Sequence, residues 1–387
     1  MNRRAFIVGH LCLLSAAAFL VTGCHKDDFP AYASNYREFA YITNGGSNTV
    51  FIYDIVNLRE DREVIVGEHP VAVAASAIRN EVYVVNSGNG TNNGSLTIID
   101  TEKNQPVATI AVQRAPVALD IDDTAAIAYI ANSGSNSISA VDLKTHREKF
   151  VMGVGEKPQA IQLTPDNKSL LVSNSLGNSI TIFNTTDATA GQKPRAVFEG
   201  CPGAGNIVVL PDSSKAFAAC TTGHQVLSIR LSDGKQPDRA EALMDVGKLP
   251  GFLALKPDGG EIFVMNAGSD TISELSTPTN DIGGSYLMGA HPQQGLVTAD
   301  NSQLYVSNSG SNEVTIYAID DGQRIGGVSV GDGPSAMALS SLGHLLLVVD
   351  THSGDLALVR TASHALFNIV PTGSGPNSIA VKSFTVK

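Results

Sequence analysis

The sequence predicts an all-β protein: an eight-bladed β-propeller of four-stranded blades, with a seven-bladed ring as the alternative. Three observations carry the prediction. One short pattern recurs eight times from about residue 39 to the C-terminus, at a period of roughly 40–46 residues. Each copy consists of short apolar runs separated by Gly, Pro, Asn and Asp, the residues that turns need for positive or fixed φ. Two separate counts also agree. The first runs number eight, as in Phe39-Ala-Tyr-Ile-Thr-Asn44, Ile127-Ala-Tyr-Ile-Ala-Asn132 and Gln303-Leu-Tyr-Val-Ser-Asn308. The loops leading to a Pro-led run also number eight, at Pro70, Pro116, Pro158, Cys201-Pro202-Gly203-Ala204, Pro250, Pro292, Pro334 and Pro376. A chain of 387 residues would by length suggest two or three domains. The repeat overrides that prior, because each unit can bury its faces only against its neighbours.

Residues 1–23 read as a leader, 24–37 as a tether and 38–387 as one propeller domain. Arg3 and Arg4 begin the leader, and the apolar stretch Phe6 to Val21 is short and interrupted for a membrane span. It closes on Val21-Thr22-Gly23-Cys24, which resembles the bacterial lipobox. That resemblance implies a lipid on the Cys24 sulfur and a location in the bacterial envelope, on the periplasmic or cell-surface side. An ordinary secretory leader is the alternative. The residues after Cys24 lack strand periodicity, as a tether does.

The third unit shows the elements in order. Ile127 to Asn132 is a strand, Ser133-Gly134-Ser135-Asn136 a turn, Ser137 to Asp142 the next strand and Lys149 to Val154 another. Gly155-Glu156-Lys157-Pro158 leads into Gln159 to Leu163, and Thr164 to Lys168 turns into the following copy. The runs are apolar on both sides, as expected of blades packed face to face. Asn57–Arg62 and Thr185–Lys193 read as longer surface connections.

The Tyr-Val-x-Asn strand, the Ser-Gly-Ser-Asn turn and Val-Gly-x-x-Pro together resemble the YVTN-repeat propellers of bacterial surface-layer and secreted proteins. The resemblance spans nearly all of the chain after the leader. A WD40 propeller is disfavoured, because the sequence has no Trp. The YVTN family is more often seven-bladed, whereas the repeat here counts eight. In that family the Pro-led strand is innermost. The resemblance therefore implies that Pro376 to Lys382 forms the innermost strand of the blade that opens at Phe39, closing the ring and removing its free edges.

Aligning Pro211-Asp212 on Pro165-Asp166 puts Cys201 at the position of Gly155 and Cys220 at that of Asn174. Both then sit at one end of one hairpin. A disulfide is the expectation for an exported protein, with two buried thiols as the alternative. The recurring Asn44, Asn86, Asn132, Asn174, Asn266 and Asn308 read as turn organisers. His69, Lys157 and His291 each precede a proline, and Gln159, Gln293 and Asn377 each follow one. These six make the candidate binding face, at one mouth of the central channel. His224 and His352 belong to turns at the same end, and Asp120, Asp122 and Asp123 read as a solvated turn. No nucleophile elbow, phosphate loop or close His or Cys ligand spacing occurs after the leader, so no catalytic residue, metal ligand or cofactor is assigned.

The net charge of −11 argues against nucleic acid as a partner. The functional expectation is a monomeric, envelope-anchored, non-catalytic propeller that recognises a protein or glycan partner. The alternative is an enzyme or cofactor carrier of the lactonase-like, quinoprotein-like or haem d1 type; fold alone does not choose between them. The anchor is testable. Cys24→Ser should move the protein from the membrane fraction to the soluble fraction, or leave it as unprocessed precursor. Unchanged fractionation and an unchanged N-terminal mass would refute the lipid anchor.

Overall fold

The computed structural model describes residues 29–186 and 188–386. They form eight antiparallel four-stranded sheets arranged as blades. The innermost strands are Pro376–Thr385 for blade I, then Pro70–Ala75, Pro116–Asp122, Pro158–Leu163, Ala204–Val209, Pro250–Leu255, Pro292–Val297 and Pro334–Leu339 for blades II to VIII. Each touches the innermost strands on both sides, so the ring is closed. The eight-bladed expectation holds, and the seven-bladed alternative does not. A single helical turn, Thr221–Gly223, interrupts the sheet structure among the described residues.

The strands are apolar on both faces because each blade is sandwiched. The buried residues fall into eight clusters, and each cluster joins two adjacent blades. Tyr41, Val50 and Ile52 of blade I meet Val73, Val82 and Val84 of blade II. On the other side, Ile42, Phe51 and Tyr53 meet Leu345, Leu347 and Leu356 of blade VIII. Burying apolar area at about 25 cal/mol per Å² is the main favourable term. A solitary blade would leave both of its apolar faces in water.

Closure depends on blade I, whose strands come from the two ends of the chain. Tyr36–Asn44 pairs antiparallel with Pro376–Thr385 along nearly its whole length. Two buried charges fix this composite blade to its neighbours. Glu38 accepts a hydrogen bond from the Ser341 backbone N–H of blade VIII, and Lys382 Nζ donates to the Ser76 carbonyl of blade II at 2.6 Å. Residues 29–35 are not regular structure, yet they are not loose on the surface. Phe29 packs edge-on against Phe367, and Tyr32 Oη hydrogen-bonds His344 Nε2 at 2.9 Å.

The ring has an upper end, with the Gly-x-x-Pro loops and the turns between second and third strands. Its lower end carries the turns between first and second and between third and fourth strands. At the upper end six of the eight blades carry a buried Asn, and its Nδ2 reaches a third-strand hydroxyl, as from Asn86 to Thr97, Asn132 to Ser139, Asn174 to Thr181, Asn266 to Ser273 and Asn308 to Thr315. The glycine of Gly-x-x-Pro lies directly over this amide. A Cβ at Gly67, Gly155 or Gly247 would stand 2.6 Å from the Asn Cγ. Blade III nevertheless carries Gln113 at the corresponding position, three before Pro116, beside a buried Asn132, so the Asn favours Gly there without requiring it.

Blade V departs from this rule at both positions together. Cys201 stands at the Gly site and Cys220 at the Asn site, and the two are disulfide-bonded with Cα atoms 4.7 Å apart. The third strand, Gln225–Arg230, also lacks the hydroxyl partner and carries Leu227 in its place. An Asn at 220 would thus be buried without its acceptor. Cys201→Gly with Cys220→Asn, the pair used by other blades, should be less stable in urea than Cys201→Ala with Cys220→Ala, by about 1–3 kcal/mol. Both should lose the roughly 3 kcal/mol that chain entropy assigns to a loop of this size. Adding Leu227→Thr should recover the difference between them; equal stability of the two cysteine-free variants would refute this account.

Candidate functional site

The residue before each Pro-led strand takes a left-handed conformation. His69, Lys157 and His291 have φ of 54°, 55° and 52°. Each is pinned through its backbone N–H, by Asn48, Asn136 and Asp270 respectively, from the turn of the preceding blade. His224 fills the same role: its Nδ1 accepts from Leu249 N at 3.1 Å. Side chains on this frame point around the upper mouth of the channel. The structure does not gather them, because His69, Lys157 and His291 introduce blades II, IV and VII and no two of these blades are adjacent. The Nδ1 of His69 lies 3.1 Å from the Gly45 carbonyl.

The residues after the prolines separate further. Gln293 and Asn377 line a channel cavity of about 340 Å³ with Phe252, Gln294 and Ser335. Gln159 is exposed and lies outside it. Asn377 is also part of the wall, since its amide accepts from Thr43 Oγ1 at 2.6 Å and donates to the Pro70 carbonyl at 2.9 Å. Gln294 is committed likewise, bonding the Met337 N–H of the next blade at 2.6 Å.

The carboxylates expected in a solvated turn instead hold blades together. Asp120 accepts from Leu163 N at 2.7 Å in blade IV. Burial pushes its carboxyl up to about 6, against the opposing pull of the Leu163 and Ile121 N–H groups. Asp122 accepts from Asn167 Nδ2, and Asp123 forms an ion pair with Arg79 of blade II at 2.7 Å. Among the described residues no group of three His, Cys, Asp or Glu is placed to hold a metal ion.

A larger site lies at the lower end, between blades IV and V, with a cavity of about 1010 Å³. Its origin is a break in regularity. The outermost strand of blade IV, Ala196–Glu199, has four residues, and a long connection precedes it. The connection of blade V before Arg239–Asp245 is also long. Both drop away from the sheets and leave a groove. Arg195 forms its floor, with Nε and Nη2 on Asp238 at 2.7 and 2.8 Å and Nη1 on Ser169 and Asn184.

Arg230 and Arg239 line one wall, and Glu241 holds them from behind it. Lys215 Nζ and Arg230 Nε lie 3.0 and 2.9 Å from its carboxylate, and Arg239 also contacts it. Burial opposes the charge, but hydrogen bonds from Arg230 and Lys215 prevail and hold the Glu241 carboxyl at about 2. The remaining lining is short and polar, with Thr164, Thr186, Gln192, Ser214, Ser232 and Gln236 beside the carboxylates Asp166, Asp212 and Asp233; Lys168, paired with Asp166, is largely exposed, Arg230 is half-exposed, and Leu231 is the apolar member. The sequence pattern places the candidate face at the opposite end of the ring. Its one signal for the groove is the long connection Thr185–Lys193, and nothing in the composition of that segment marks a concavity.

A family model described as YNCE-like beta-propeller matches residues 103–384. No curated protein matches the chain. Solved structures do resemble it. Dihydro-heme d1 dehydrogenase NirN in complex with DHE has a TM-score of 0.72 at 12% identity, over 91% of this chain and 76% of that one. Apo AztD from Citrobacter koseri has a TM-score of 0.68 at 12% identity, over 91% and 99%. A functionally unknown protein from Desulfotomaculum acetoxidans has a TM-score of 0.61 at 16% identity, over 89% and 98%. At such identities the likeness is one of fold.

Blade VIII carries a second carboxyl that burial raises. Asp350 takes the place of the blade Asn, and Asp355 takes the place of the neighbouring Ser or Thr. Asp350 is fully buried. Burial is the main cause that raises its carboxyl far above the usual range, with the hydrogen-bonded Asp355 adding to it, while the Gly331 N–H pulls the other way. The folded protein therefore keeps a proton that the unfolded chain gives up near pH 4. The contribution of Asp350 to stability is greatest below that pH and is lost as pH rises through the raised folded value. Asp350→Asn, restoring the amide of the other blades, should remove that loss. Its melting temperature should exceed that of the wild type by several degrees at pH 8 and match it near pH 4; an equal gain at both pH values would refute the titration account.

Proposed function

The chain belongs to the YNCE-like beta-propeller family, and from that premise we propose that it is a non-catalytic, envelope-anchored propeller that binds a glycan in the groove between blades IV and V. The observation that carries the proposal is the lining of that groove. Guanidinium, amide, hydroxyl and carboxylate groups converge on a concavity of about 1010 Å³. Glu241 and Asp238 hold the guanidinium groups in fixed orientations before any ligand arrives. Such preorganisation lowers the entropic cost of polar recognition. Sugar hydroxyls both donate and accept, which suits alternating carboxylate, amide and guanidinium partners. A protein partner would favour an aromatic or otherwise apolar centre; here Leu231 is the apolar residue of the lining.

Calorimetric titration with oligosaccharides prepared from bacterial envelopes tests the proposal. At least one should bind, and Lys168→Ala combined with Arg230→Ala should weaken it roughly tenfold, as expected for loss of a charged hydrogen bond. The melting temperature should fall only modestly, because Lys168 is largely exposed and Lys215 and Arg239 remain on Glu241 when Arg230 is removed. Absence of saccharide binding would overturn the ligand class, and lactone or dehydrogenase turnover by the purified protein would overturn the non-catalytic reading.

A further inference from the structure

The lower-end turns between first and second strands differ from blade to blade in one informative way. The exposed tip residue is Asp166, Asp212, Asp258 and Asp300 in blades IV to VII, and Thr124 in blade III. In blades II and VIII it is apolar: Ile78, 69% exposed, and Leu342, 59% exposed. Those two blades flank blade I, the only blade without such a turn, because the chain begins and ends there. The two turns are joined to blade I directly, through Ser76 to Lys382 and Ser341 to Glu38. Val386, 39% exposed at the end of the blade I inner strand, lies at the same end. Isolated exposed apolar residues need no explanation. These share one arc of one rim, where the corresponding positions elsewhere are mostly acidic.

The N-terminal segment leaves the ring at this arc. Phe29 is gripped by Phe367, with ring centroids 5.2 Å apart, and the Arg360 guanidinium lies over both rings. Tyr32 stacks on Tyr36 at 5.1 Å and bonds His344, two residues from Leu342. Cys24 is five residues before Phe29, so even a fully extended chain separates them by at most about 18 Å. An acyl chain on Cys24 would hold this arc, and not the upper end, close to a bilayer.

We propose that the arc formed by Ile78, Leu342 and Val386 rests on the membrane surface, with the two turn tips entering the interfacial region. This rests on the reading of Cys24 as lipidated. Two weak contributions then act together, since acyl chains supply the affinity and the apolar tips set the orientation. The acidic tips of blades IV to VII are repelled by anionic headgroups, so the ring stands tilted, raised on their side. The glycan groove opens on that raised side, toward the lipid surface.

The chain has no tryptophan, so a single introduced indole reports depth without background. Full-length lipidated protein carrying Leu342→Trp, and separately Asp258→Trp, is transferred to phosphatidylethanolamine–phosphatidylglycerol vesicles with brominated acyl chains. Emission from the Leu342→Trp protein should fall roughly twofold relative to unbrominated vesicles, as for an interfacial aromatic ring. Emission from the Asp258→Trp protein should stay unchanged. Adding Ile78→Asp to the Leu342→Trp protein should reduce the quenching without lowering the melting temperature. Protein that floats with the vesicles but shows no quenching of the Leu342→Trp variant, or equal quenching of both variants, overturns the docking proposal alone. Protein that does not float overturns the lipidation reading and the docking proposal together.

Discussion

The structure depends on the packing of each blade against two others. The two middle strands of each blade are buried on both faces, so no blade is stable alone and no open array of blades escapes two exposed faces. Closing the ring removes that defect. The burden falls on blade I, where Tyr36–Asn44 and Pro376–Thr385 must find each other from opposite ends of the chain. Glu38 and Lys382 add direction to that closure. Each is a buried charge, costly to leave without a partner, and each has its partner on a different neighbouring blade.

The upper end shows how a repeat constrains residues that do not touch any ligand. In blades II, IV and VI the buried Asn of one strand occupies the space above a turn, and a glycine faces it. Blade III keeps the Asn and fits Gln113 at the facing position. Blade V replaces both, and loses the hydroxyl on the third strand as well, filling the site with a disulfide and Leu227. Blade VIII keeps the geometry but exchanges the amide for a carboxyl, which makes one of eight related positions sensitive to pH. Similar frames can thus carry an amide, a covalent bond or an acid.

Function is expected where regularity fails. The upper mouth of the channel is regular, and its unequal side chains are dispersed by the ring or absorbed into its wall. The lower end is irregular in two places. Between blades IV and V, two long connections make a groove floored by Arg195 and walled by Arg230 and Arg239, which Glu241 holds from behind. Around blade I, the chain termini interrupt the ring of turns and apolar tips replace acidic ones. The two irregularities sit across the ring from each other at one end, which relates ligand and membrane through a rigid body.

The sequence by itself determined the repeat and the blade count, because a short-range period recurs eight times; that the last strand completes the first blade followed from the resemblance to the YVTN-repeat propellers. The sequence also aligned Cys201 and Cys220 onto the Gly and Asn of the repeat, and the structure joins them there. It could not show that Asp120, Asp122 and Asp123 bridge blades, because their partners lie in neighbouring repeats and the turn composition looks like any solvated loop. Nor could it place the groove. Arg195, Asp238 and Glu241 belong to connections outside the periodic pattern, and only their three-dimensional approach makes them one site. Periodicity fixes what every blade shares, and tertiary structure alone decides what two particular blades enclose between them.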